Sequence, residues 1–186
     1  LRADNARTIY TGSYRLNGDA PAVVLSNRKL IFYSTTTRGS QEGSRPNVSA
    51  RGFTVTKTSW NEKWCKTYIN PLSGDRSFAA PLGLTLEIVP VTNPADITSG
   101  RPAVFRVLYR GQPLRNATVN ATYQNFNSRE QEAYAVTTTS DSGGQVSITP
   151  NERGIWMVQV GHTASVSGNP NYDEESLKSI VVFTVK

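Results

Sequence analysis

The chain is 186 residues long, 37% hydrophobic and 18% charged, enough to bury a core in one large or two small domains. Its formal charge of +6 invites a polyanionic partner. The basic residues are scattered, however, and the densest stretch, Arg38 to Arg51, carries no interleaved aromatic side chain to stack on bases, which argues against nucleic acid and for a long mobile loop.

Leu1-Arg-Ala-Asp-Asn has no hydrophobic signal core, so an exported protein would have shed its leader. No apolar run approaches the roughly 18 residues needed to span a bilayer. Thr, Ser, Asn, Val, Gly and Pro are abundant, a balance suited to short strands joined by turns. Four runs in the first 80 residues read as strands: Val23–Leu25, Leu30–Tyr33, Phe53–Val55 and Trp64–Ile69. Trp60, Trp64 and Tyr68, reaching back from the last of these, are spaced by four, which on a strand places them on one face. They pack a core or offer a ligand-stacking surface. Cys65, beside Trp64, is the single cysteine; it excludes an intramolecular disulfide and reads as a small hydrophobe.

Pro, Gly and Ser cluster between Pro71 and Pro81, where the hydrophobic pattern lapses. The boundary therefore falls there, between an N-terminal β module over residues 1–80 and a sandwich over 81–186. From Leu82 onward, alternating segments recur every 8 to 12 residues or so. Leu84, Leu86 and Ile88 share one face of a strand that Pro90 ends, and Ala103, Phe105, Val107 and Tyr109 share one face of the next. A third strand spans Ala117 to Gln124 with Val119, Ala121 and Tyr123 inward, and a polar loop leads to a strand at Tyr134. Asp141-Ser-Gly-Gly reads as a hairpin turn. Strands at Val146–Ile148, at Ile155–Gly161 with Trp156, Val158 and Val160 on one face, and at Ser179–Lys186 complete seven. The rhythm is that of an all-β, antiparallel immunoglobulin-like or transthyretin-like sandwich.

Pro81 to Pro94, Gly100 to Tyr123, Asp141-Ser-Gly-Gly-Gln, Gly154 to His162, and Tyr172 with Phe183 follow one another in an order that resembles a family of bacterial periplasmic proteins. Its members are commonly labelled as periplasmic components of ABC-type cobalt or nickel uptake. The similarity runs from about Trp64 to Lys186 and implies a periplasmic protein, a nickel or cobalt ion, and membrane transporter components or other envelope proteins as partners.

His162 is the single histidine, which excludes a two-histidine zinc centre within one protomer. It ends one strand, and the Tyr172-Asp-Glu-Glu cluster follows a turn, so His162 and Asp173 are the candidate metal ligands at one pole of the sandwich. There is no GxSxG elbow to place a nucleophile. The reading is therefore a non-enzymatic binding or accessory protein, with a structural or adhesive module that binds protein or carbohydrate through β edges or loops as the alternative.

Overall fold

The computed structural model describes residues 2–4, 9–11, 21–27, 31–126 and 133–186. In chain order the strands are β1 (Arg2–Asp4), β2 (Ile9–Thr11), β3 (Ala22–Asn27), β4 (Ile31–Thr36), β5 (Gly39–Glu42), β6 (Val55–Ile69), β7 (Leu86–Pro90), β8 (Ala103–Tyr109), β9 (Gln112–Pro113), β10 (Thr118–Tyr123), β11 (Val136–Thr139), β12 (Gln145–Ile148), β13 (Gly154–Ser165) and β14 (Glu174–Val185); one short helix, α1 (Arg45–Ser49), precedes β6. Strands β1 and β2 pair with each other. The others form an eight-stranded sheet in the order β11-β10-β13-β14-β6-β4-β5, with β3 also on β6, and a four-stranded sheet in the order β12-β8-β7, with β9 on β8.

The core lies between these two sheets. The small sheet contributes Leu86, Ile88, Ala103, Phe105, Val107, Val146 and Ile148; the large one contributes Val119, Ala121, Trp156, Val158, Val160, Leu177, Val181, Phe183 and Val185. Each set recurs every second residue, as a sheet buried on one face requires. Phe105 and Phe183 meet across the layer with ring centroids 5.4 Å apart. The fold is all-β and sandwich-like, as the alternation predicts.

The sheets are not antiparallel throughout. Strand β14 lies parallel to β6, from Glu174 opposite Ser59 to Val182 opposite Thr67, so the large sheet runs across the Pro71–Pro81 connection without a break. The expected Phe53–Val55 strand reduces to Val55, which opens the same strand that holds Trp64–Ile69: Val55–Ile69 is a single strand of 15 residues. Arg38–Arg51 is not a structureless loop either, since it forms β5 on β4 and then α1, whose Val48 is fully buried. The turn at Asp141 joins β11 of one sheet to β12 of the other and is thus a corner rather than a hairpin. Asp141 Oδ1 accepts from the amides of Gly143 and Gln145. Gly144, at φ 72°, lies so close to β8 that a Cβ there would stand 2.6 Å from the Val107 carbonyl oxygen.

Candidate functional site

One end of the sandwich is occupied by polar and aromatic side chains where the core pattern would call for aliphatic ones. Registry sets the arrangement. Glu175 of β14 is opposite Trp60 on β6 and Ala164 on β13, and His162 is opposite Leu177. Directly opposed residues point to the same side of a sheet, so Trp60, Glu175 and His162 share the inner face with the buried Leu177.

Glu175 is 4% exposed. Its carboxylate accepts from the Tyr109 hydroxyl at 2.9 Å, from the Arg110 guanidinium at 2.7 Å and, more weakly, from the Tyr172 hydroxyl at 3.5 Å. Tyr109 ends β8 and Arg110 follows it in the turn, so this carboxylate ties the two sheets together. Arg110 holds φ 51°, followed by Gly111 at 76°, the pair of left-handed residues that a two-residue β8–β9 hairpin demands. For an arginine that conformation costs about 1 kcal/mol, and it directs the guanidinium back over the Tyr109 ring, 5.4 Å from its centroid. The bond to Glu175 pushes Arg110 above its ordinary value. Burial, then the same carboxylate, raises Tyr109.

His162 is half-buried, its ring 4.7 Å from that of Tyr109. Burial lowers its pKa below 6.5, and the charge of Glu175 opposes the shift. On the other side of Glu175, Trp60 packs at a tilt against Phe32 with centroids 4.6 Å apart, and Phe32 likewise against Tyr172 at 5.8 Å. The two regions singled out in the sequence, the His162 pole and the Trp60 face, thus meet at Glu175.

Asp173 is engaged elsewhere. It accepts from Arg45 at 2.5 Å and from the Thr58 amide at 2.7 Å, and the amide bond, ahead of Arg45, lowers its pKa. Its carbonyl accepts from Val166, four residues beyond His162 and about 13 Å further along the strand direction. His162 and Asp173 therefore do not converge on a shared ligand position. Among the described residues no group of three or more His, Cys, Asp and Glu side chains converges either. Cys65 belongs to the opposite face from its neighbours Trp64 and Lys66, so the sheet separates it from His162. Burial raises its thiol pKa.

Trp64 and Tyr68 share the inner face with Trp60 but serve the sheet interface. Trp64 Nε1 donates to Glu62 at 2.7 Å, and Glu62 also accepts from Thr85. The Tyr68 hydroxyl donates to the Phe78 carbonyl. Between them Lys66, 1% exposed, forms a 2.8 Å ion pair with the equally buried Glu87. Glu87 also accepts from the amides of Leu82, Gly83 and Leu84, which fixes the chain entering β7. Arg110 and Glu175 escape the sequence reading because each looks like an ordinary turn or loop residue, and Tyr109 is legible there only as one more inward strand residue. The available signal was parity: Glu175 lies two residues before inward Leu177.

No curated protein and no solved structure matches the chain. A family model does, the one described as a domain of unknown function, DUF4198, over residues 8–164. That span takes in both sides of the Pro71–Pro81 connection and all but the last strand of the sandwich, and on it the chain belongs to the DUF4198 family.

Proposed function

We propose that the protein is a non-enzymatic binding or accessory module of the periplasm, and that it recognises its ligand at the pole where Tyr109, Arg110 and Tyr172 gather on Glu175 beside His162 and Trp60. The observation behind this reading is Glu175. A buried carboxylate held by three side chains fixes two tyrosine rings and a guanidinium before any ligand arrives, which lowers the ordering cost of binding. The Arg110 side chain remains 59% exposed and thus open to contact. The His162 ring packs tilted against Tyr109 with centroids 4.7 Å apart, which adds a second aromatic surface beside the guanidinium.

A resident nickel or cobalt ion does not fit these donors, because Asp173 is bound to Arg45 and the Glu175 oxygens already accept from Arg110 and two hydroxyls. Association with nickel or cobalt uptake, which the sequence resemblance implies, would then run through contacts with transporter components. The aromatic walls suit a carbohydrate or a protein side chain equally, in line with an adhesive role.

The test is an amide-resolved NMR titration with Ni²⁺, with Co²⁺ and with short soluble oligosaccharides. The proposal expects at most millimolar effects from the ions. It also expects oligosaccharide-induced shifts confined to the pole and lost in Arg110→Ala. Tight nickel binding that disappears in His162→Ala would replace it with a metal-carrying function, and shifts located away from the pole would sink it.

A further inference from the structure

Strand β3 (Ala22–Asn27) pairs with β6 along one side, and among the described residues no strand pairs with its other side. Further along the same edge the opening is closed. Strands β3 and β4 both lie antiparallel to β6, over residues 64–69 and 55–61. Strand β5 covers β4 from Tyr33 to Thr36. The Gly43 amide then donates to the Phe32 carbonyl before the chain turns away into α1. What remains is a six-residue edge on which alternate residues direct both main-chain groups outward.

That edge is also apolar. Val23, Val24 and Leu25 are 40%, 43% and 38% exposed, so both faces of the strand are uncovered. Ala22–Asn27 contains no charge and no proline, the usual devices that keep an edge strand from pairing.

We propose that a second copy of this chain occupies this edge, β3 pairing antiparallel with β3 about a two-fold axis that passes through Val24. In this register Val24 faces Val24 of the second copy, Val23 faces its Leu25, and Ala22 faces its Ser26. Every pair is small or apolar and no like charges meet, although each chain carries +6. The pairing is isologous, as a closed dimer requires. It also continues an existing row. Across the outer face, Thr122 is opposite Met157, Met157 opposite Val182, Val182 opposite Thr67, and Thr67 opposite Val24, so the axis joins two such rows into one. This proposal is independent of the ligand reading of the Glu175 pole, which lies on the inner face.

Sedimentation velocity supplies the first test. The wild-type chain is expected to move with rising concentration from 20.4 kDa toward twice that mass. Val24→Lys, which places two ammonium groups on the axis, is expected to stay monomeric and to melt as the wild type does at concentrations where the wild type is itself monomeric. Mild oxidation supplies the second, in a Cys65→Ser background. Val24→Cys is expected to form a covalent dimer, because facing Cα atoms about 4.5–5.5 Å apart lie within disulfide reach. Ser26→Cys, opposite an alanine, is not. A wild-type chain that stays monomeric at all concentrations, a dimer that survives Val24→Lys, or cross-linking through Ser26→Cys in place of Val24→Cys would overturn the proposal.

Discussion

Among single residues, the charges inside the sandwich govern stability most sharply. Lys66 and Glu87 are each 1% exposed and pair at 2.8 Å. Burial lowers the lysine pKa and Glu87 draws it back up. Lys66→Met would leave the Glu87 carboxyl between the sheets without its cation, at a cost of about 3–5 kcal/mol. The urea midpoint should fall accordingly with the m-value unchanged. His162 gives a pH-dependent counterpart. Because burial holds its folded pKa below 6.5, the unfolded chain takes up the proton first as pH falls. Its contribution to stability is thus complete above pH 6.5 and is lost as pH drops below that value. Thermal melts at pH 7.5 and 5.5 should show a smaller acid loss in His162→Gln than in the wild type. Equal losses in the two proteins would assign the acid sensitivity to the carboxylates instead.

At the level of elements, the legible strands were those whose inward residues are aliphatic. Strands β8, β10 and β12 follow the alternation of Ala103, Phe105 and Val107, of Val119 and Ala121, and of Val146 and Ile148. Strand β14 was read from Ser179 but begins at Glu174, because its first inward residue is Glu175, whose burial is made tolerable by partners from β8 that no local pattern reveals. The same applies to the interior of β6, where inward Glu62 and Lys66 break the apolar signal. Of the candidate site, His162 and Trp60 were legible as residue types, whereas the carboxylate that joins them depends on register across three strands. Turns carry a sharper test. Gly144→Ala combines φ 72° with a contact of 2.6 Å to the Val107 carbonyl oxygen. Gly83→Ala has a φ of 79° but open space around its Cβ. Gly83→Ala should cost about 1 kcal/mol from the left-handed backbone alone. Gly144→Ala should cost more, because the corner between the sheets must shift, and chemical denaturation of the two variants measures the difference.

For the whole molecule, the question is whether the Pro71–Pro81 segment separates two foldable units. The aliphatic core belongs almost entirely to residues after Leu82, which favours an independent C-terminal sandwich. Three features tie that sandwich to what precedes it. Strand β14 is hydrogen-bonded to β6 from Glu174 to Val182, Glu87 is neutralised by Lys66, and Trp60 flanks Glu175 at the pole. Excising residues 82–186 would expose the long edge of β14, in the middle of the sheet. It would also strip Glu87 of its ion-pair partner Lys66 and uncover the inner-face residues that β6 covers, against a total stability of only about 5–15 kcal/mol for a domain. The fragment is therefore expected to lack cooperative thermal unfolding and to associate through β14. Adding the 55–69 segment in trans is expected to restore both cooperativity and near-ultraviolet dichroism. A fragment that melts cooperatively as a monomer on its own would instead establish Pro71–Pro81 as a true domain boundary, with β6 an addition to a self-sufficient sandwich.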